Sequence, residues 1–217
     1  MSTTPRILLT GFTPFGNDVI NPSWEAVRLL HDERIADHQV VAHLLPTAFD
    51  DSRRELEAVV REVEPSILIG VGQAGGRSRL SIERVAINVQ DARLPDNTGA
   101  QPIDEPVIAG GPAAYFSTLP IKAMLAALQA EGLPVEISNT AGTYVCNHIA
   151  YLMLHEAAQR QGVRAGFIHI PYLPEQAVRL PQAPSMAKGD VVRALILAMH
   201  VAASQVVDDR LGAGTLD

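Results

Sequence analysis

Apolar and polar positions come in blocks along this chain, and the period of the blocks changes. RILLTGF (Arg6–Phe12) is a short apolar run that predicts a buried strand. NPSWEAVRLLHD predicts a helix entered at Pro22 or Ser23, where a proline costs no hydrogen bond. QVVAHLLP (Gln39–Pro46) is a second strand, and DDSRRELEAVVREVEP has apolar residues at helical spacing and is closed by Pro65. SILIGVG (Ser66–Gly72) is a third strand. IERVAINV (Ile82–Val89) reads as one extended segment with Glu83, Val85, Ile87 and Val89 on the same side. A loop rich in Pro, Gly, Asp and Asn runs from Asp91 to about Pro112. PIKAMLAALQAEG is a helix closed by Gly132, VEIS a strand, the stretch around Cys146 a helix, RAGFIHIP a strand and SMAKGDVVRALILAMHVAASQ the last helix. The tail DDRLGAGTLD is expected to be loose.

Strands alternating with helices predict an α/β fold with a largely parallel sheet covered on both faces. At 217 residues, without internal repeat or long linker, the chain is expected to form one domain over 1–217. Composition adds exclusions. An apolar fraction of 47% supplies a sizeable core, while a formal charge of −7 without a basic cluster argues against nucleic acid or an anionic membrane as partner. The longest apolar stretch, VVRALILAMHVAAS, is too short to span a bilayer and contains Arg193 and His200. A single cysteine makes no internal disulfide, and the N-terminus enters a strand without a basic and then apolar leader. The expectation is a cytoplasmic protein.

Two motifs compete for attention. GVGQAGG (Gly70–Gly76) matches the glycine pattern of dinucleotide sites, but such a site needs a helix to begin there. RSRLSIERVAINV, which follows, reads as loop and strand, so the glycines instead mark close backbone approach at a strand end. The other motif is SNTAGTYVCNH (Ser138–His148), which carries Cys146. A free cysteine is most often a small buried hydrophobe. Here a strand, a turn and a helix in succession place Cys146 at a helix N-terminus, where unpaired N–H groups favour a thiolate. The turn offers N–H groups to an oxyanion. The site is expected at the C-terminal edge of the parallel sheet, where open α/β folds bind ligands.

A reactive thiol needs a base, and seven histidines are available. His31 and His38 lie in polar surface segments, and His43 and His200 sit inside apolar elements. His148 is i+2 from Cys146 and so faces elsewhere; His155 is expected on the solvent side. His169, near the end of RAGFIHIP, falls at the same sheet edge as Cys146; the alternative is a satisfied structural histidine. Glu83, in line with branched apolar residues, needs a partner that a cationic His169 would supply, unless it is a wet strand start. His148 and His155 lack metal-ligand spacing, and no metal or cofactor is expected.

Four blocks together carry a resemblance: GFTPFGNDVINPSWEAV, GVGQAGGRSRLSIERVAINVQDARLPDN, SNTAGTYVCNH and FIHIPYLPEQA. Through them nearly the whole chain resembles the type I pyrrolidone-carboxylate (pyroglutamyl) peptidases, a family of cysteine peptidases. The resemblance implies an α/β/α sandwich with a mixed, largely parallel sheet, and a Glu, Cys, His triad falling on Glu83, Cys146 and His169. It implies an oxyanion-stabilising arginine at Arg93, beside the Cys146 N–H. It implies a lactam pocket at Phe12, Phe15, Asn21, Thr47, Gln73, Leu94, Tyr144 and Val145. The substrates implied are peptides with an N-terminal pyroglutamyl residue, and the assembly implied is a homotetramer. Leu94 and Tyr144 stand where the family pattern has Ile and Phe, and Tyr172 where it has Phe. A thiol amidase for another small acyl group, or a non-catalytic small-ligand binder, are the rival readings.

Overall fold

The computed structural model describes residues 4–214. Nine strands and six helices are present among them: β1 (Arg6–Phe12), α1 (Pro22–Val27), β2 (Arg34–Ile35), β3 (His38–Leu45), α2 (Phe49–Val63), β4 (Ile67–Gln73), β5 (Leu80–Glu83), β6 (Val85–Ile87), β7 (Ala114–Phe116), α3 (Ile121–Ala130), β8 (Val135–Ser138), α4 (Val145–Gln159), β9 (Arg164–Ile170), α5 (Pro174–Ala177) and α6 (Lys188–Ser204). Seven strands form one sheet in the order β2-β3-β1-β4-β9-β5-β8; β6 and β7 form a separate hairpin-like pair.

Strand alternation sorts the core into two layers. On one face, Ile7 and Leu9, Ile67, Ile69 and Val71, and Ile168 and Ile170 meet α1, α3 and α6. On the other, Leu8, Phe12, Leu68, Ala165 and Phe167 meet α2 and α4. These strands are buried on both sides and therefore read as continuous apolar runs. The result is the expected three-layer α/β/α arrangement. Truncating a fully buried residue such as Leu8 or Leu68 to alanine would cost about 2–5 kcal/mol.

The helices start and stop for local reasons. Asn21 caps α1 by accepting from the Ser23 N–H, with Pro22 at the first helical position. Asp96, distant in sequence, accepts the Phe49 N–H at the start of α2, and Glu64 ends that helix in the left-handed region just before Pro65. The segment from Asp208, expected to be loose, contributes a cap: its carboxylate accepts from the N–H groups of Lys122 and Ala123 at the start of α3. The end of that tail, 215–217, lies outside the described residues.

One expectation is corrected. Ile82–Val89 is not one strand. The chain leaves the main sheet at Arg84, so Glu83 ends β5 while Val85 and Ile87 belong to β6, paired with β7. The sheet is largely parallel and mixed, as expected. β3, β1, β4 and β9 are mutually parallel, but β5 is antiparallel to β9, and β8 follows β5. Residues 74–79 are too short a link for the crossover that a parallel return from β4 would need, so the chain reverses. Among the described residues no helix is long and apolar enough to cross a membrane.

Candidate active site

The parallel strands β4 and β9 end side by side, with Gly72 opposite His169 and Gln73 opposite Ile170. Above this edge the loop after β8 delivers the N-terminus of α4, whose second residue is Cys146. The Tyr144 side chain makes no capping bond, so the first-turn N–H groups of α4 stay unpaired by a cap at the site. The helix is held there by Asn147, which exchanges hydrogen bonds with the backbone of Ile87 and donates to the Val89 carbonyl.

The glycine pattern is explained at this point. No helix follows β4, which excludes the helix-terminus phosphate geometry for GVGQAGG. A Cβ at Gly72 would lie 2.8 Å from the Cys146 Sγ and 2.9 Å from the Phe167 ring. Side chains at Gly70 and Gly75 would strike Phe167 and the Tyr172 hydroxyl. The glycines make room for the thiol and the ring beneath it.

His169 and Glu83 approach across antiparallel strands. Ser81 is directly opposite His169, and Glu83 lies two residues further on the same face. The His169 Nδ1 is 2.7 Å from the Glu83 Oε1, with the two residues 4% and 2% exposed. On its other side the ring faces the Cys146 sulfur. Burial alone would lower the His169 pKa. Cys146, by charge and hydrogen bond, and then Glu83 outweigh burial and push it up to about 9. The cationic form of the imidazole is thereby favoured.

Arg77, in the turn between β4 and β5, was not singled out by the sequence. Its Nη1 donates to the same Glu83 Oε1 at 2.8 Å, and its Nη2 donates to the Thr140 carbonyl at 3.1 Å. In GGRSR it reads as a solvated loop residue, and only the fold brings it to Glu83.

A cavity of about 390 Å³ opens over the thiol. Cys146, His169 and Arg93 line it together with Phe12, Phe15, Asn21, Thr47, Gln73, Tyr144 and Val145. Glu83 lies behind His169. Leu94 does not line this cavity: it is 65% exposed and borders a second cavity that shares Phe15, Arg93, Gly142 and Tyr144 with the first. Asn21 and Thr47 are largely committed to structure. Asn21 donates to the Thr13 carbonyl besides capping α1, and the Thr47 hydroxyl donates to the same carbonyl. Gln73 is fixed by Gln176, which donates to its Oε1, and by Asp18, which accepts from its Nε2.

The other histidines stand apart. His38, expected on the surface, is buried at the start of β3, with Nδ1 2.6 Å from Asp37 Oδ1. His43 pairs with Glu55, and His155, expected in solvent, is half-buried against the Tyr115 hydroxyl. His148 is buried against the edge of Phe49. Among the described residues no three His, Cys, Asp or Glu side chains gather as a metal site.

Comparison with known proteins agrees with this geometry. The pyroglutamyl peptidase family matches residues 5–205. A pyrrolidone-carboxylate peptidase of Erwinia tasmaniensis is 55% identical over 96% of this chain and 98% of its own length. One from Klebsiella pneumoniae is 53% identical over 96% and 97%. Among solved structures, pyroglutamyl peptidase I from Bacillus amyloliquefaciens superposes with a TM-score of 0.93 at 44% identity, covering 97% of this chain and all of that one. A mutant pyrrolidone carboxyl peptidase from Pyrococcus furiosus gives 0.90 at 43% identity, over 93% of this chain and all of its own. With the family spanning nearly the whole chain and the same fold recurring in its solved members, this chain belongs to the pyroglutamyl peptidases, a family of cysteine peptidases.

Proposed function

We propose that this chain removes N-terminal pyroglutamyl residues from peptides, using Cys146, His169 and Glu83 as nucleophile, base and orienting acid. The observation that carries the reading is a buried His169 held by Glu83 on one side and facing the thiol at a helix N-terminus on the other. His169 takes the thiol proton, and the thiolate attacks the pyroglutamyl carbonyl carbon. The Cys146 N–H and Arg93 stabilise the tetrahedral oxyanion. The C–N bond breaks as the amine takes the proton from His169, leaving a thioester. His169 then takes a proton from water, hydroxide attacks the thioester, and pyroglutamate and the thiol are released.

The cavity suits such a group. The Phe15 and Tyr144 rings, in tilted contact at 6.3 Å between centroids and 44°, give the cavity an apolar side against which a flat lactam can pack. Phe12 and Val145 close the floor, and Gln73, held in one orientation, supplies a polar contact. Leu94 serves at the rim rather than the floor. The same reading carries a cytoplasmic, homotetrameric enzyme without metal or cofactor, which light scattering and chelator treatment test directly.

The deciding experiment is hydrolysis of a pyroglutamyl-aminocoumarin amide by the wild type and by Cys146→Ala. Turnover that disappears in the variant supports the reading. Turnover that survives removes Cys146 from the mechanism, and a wild type that cleaves other small acyl amides better points to the broader amidase.

A further inference from the structure

We propose that Arg77 is a positioning residue for the triad: it clamps Glu83 to the loop that delivers Cys146. The inference rests on the triad assigned above. Three observations support it. Arg77 and His169 converge on one oxygen, Glu83 Oε1, at 2.8 and 2.7 Å. The second arm of the guanidinium reaches the Thr140 carbonyl, in the loop between β8 and α4. Arg77 is also partly open, with its side chain 30% exposed, and lines the same cavity as Cys146 and His169.

The geometry gives Arg77 two jobs. Glu83 is almost fully buried, and a buried carboxylate facing only a neutral imidazole would be costly to keep ionised. The guanidinium on the same oxygen gives the carboxylate a charged partner besides the imidazole. The fork geometry also couples two pieces of chain, beside the Arg84 side chain, which donates to Asn139 in the same loop. One arm holds the acid at the end of β5, and the other holds the loop that sets the start of α4. A shift of that loop would move the thiol relative to the imidazole, and small misplacements of reacting groups are expensive.

The charge surroundings are few. Facing His169 are Cys146 from α4 and Glu83 from β5. Arg77 from the turn after β4 and Arg93 from the loop after β6 line the cavity. Glu136 on β8 is engaged with Ser81, the residue opposite His169. Removing Arg77 therefore removes one of the positive charges that line the cavity, leaving Arg93 and His169.

The test reads the thiol independently of the substrate. Iodoacetamide alkylation of Cys146 is followed at pH 6 and pH 10 in the wild type, Arg77→Met and Arg77→Lys, beside steady-state turnover of the pyroglutamyl amide. In Arg77→Met the pH 6 alkylation should slow by about threefold or more relative to pH 10, because a favourable charge is lost. Its kcat should fall about tenfold with KM within about threefold. In Arg77→Lys the charge remains and the fork does not, so alkylation should stay within about twofold of wild type while kcat falls about threefold. An unchanged ratio of alkylation rates in Arg77→Met overturns the proposal, as does a raised KM with kcat intact, which would make Arg77 a substrate contact. If near-UV circular dichroism shows that Arg77→Met does not fold, Arg77→Lys decides, and a wild-type kcat there overturns the clamp. An alkylation deficit in Arg77→Met beside a wild type inert toward pyroglutamyl amides supports the clamp and removes only the substrate assignment.

Discussion

Glu83 and His169 meet diagonally across β5 and β9, two residues from the direct Ser81–His169 pair, and their contact of 2.7 Å is buried. The contact puts a negative charge against the ring nitrogen remote from the thiol. Glu83→Gln keeps the shape, and its carbonyl oxygen still accepts from Arg77 and His169, so the variant should fold. The charge that favours the imidazolium is gone. We expect kcat to fall by at least about tenfold, with far larger losses known for the equivalent change in serine triads. Unchanged kcat would make Glu83 a structural residue only.

The pH profile follows from the same pair. His169 holds its proton up to about pH 9 against the pull of burial, because Cys146 and Glu83 both stabilise the cation. The imidazolium must protonate the leaving amine, so kcat/KM should stay high through neutrality and fall as pH rises through about 9. An alkaline limb near 7 in the rate profile would show that Cys146 and Glu83 do not hold the proton on the ring.

Gly72 leaves no room for a methyl group, since a Cβ there would sit 2.8 Å from the thiol and 2.9 Å from Phe167. Gly72→Ala should cost about 1–3 kcal/mol in denaturant unfolding as the ring and helix shift. Turnover should fall more than stability suggests, by about tenfold or more, because the displaced atom is the nucleophile. Wild-type kcat in Gly72→Ala would contradict the packing described.

Gly72 also shows what the sequence could reveal. Its pattern marked close backbone approach at a strand end, and the absence of a following helix was readable, so the nucleotide reading failed on sequence alone. The layered α/β/α order and the meeting of Cys146 with His169 were legible because both depend on local periodicity and on strand ends. The route to Glu83 was not. Alternation along Ile82–Val89 singled it out, yet Arg84 divides that stretch: its N–H pairs with Ser138 in the main sheet, while its carbonyl accepts from Ser117 beside β7. Burial of Glu83 is real, but its neighbours are Ser81, His169 and Arg77 rather than a row of branched residues. Strand direction at β8 and the placement of Arg77 and Leu94 depend on tertiary contacts with no local signature.

His148 tests a different property, stability in acid. Neither ring nitrogen has a protein hydrogen-bond partner among the described residues. Burial first, and then the charge of Arg53, push its pKa down to about 4. The unfolded chain binds this proton near pH 6.5 and the folded one only near 4, so stability is fully present above about 6.5 and falls as pH drops toward 4. The loss is on the order of 3 kcal/mol. His148→Leu removes the titration and the unpaired nitrogens while keeping an apolar contact with Phe49. Urea unfolding at pH 7 and pH 5 should show a smaller difference in the variant than in the wild type. Equal pH dependence would mean that His148 is hydrated in the folded state.

Specificity tests the cavity rather than the triad. Pyroglutamate is a neutral lactam, flat, with one N–H and one C=O at its polar edge. The lining of the Cys146 cavity contains no carboxylate, while Arg77 and Arg93 add positive charge. The acids just beyond it are engaged: Glu83 with His169 and Arg77, and Asp18 with Gln73 and Gln176. An N-terminal glutamyl residue would bring an ammonium into this lining with nothing to pair it, at a cost of several kcal/mol. An N-terminal prolyl residue carries the same charge and lacks the lactam carbonyl, leaving a polar partner unsatisfied. Glutamyl and prolyl amides should therefore show kcat/KM lower by about a thousandfold or more than the pyroglutamyl amide. Phe15→Ala removes one wall of the Phe15–Tyr144 pair and should weaken pyroglutamyl binding by about 1–3 kcal/mol, leaving iodoacetamide labelling of Cys146 intact. Leu94→Ala, at the exposed rim, should change kcat/KM by less than Phe15→Ala does. Comparable turnover of a free-amine glutamyl amide would rule out a lactam pocket in this cavity.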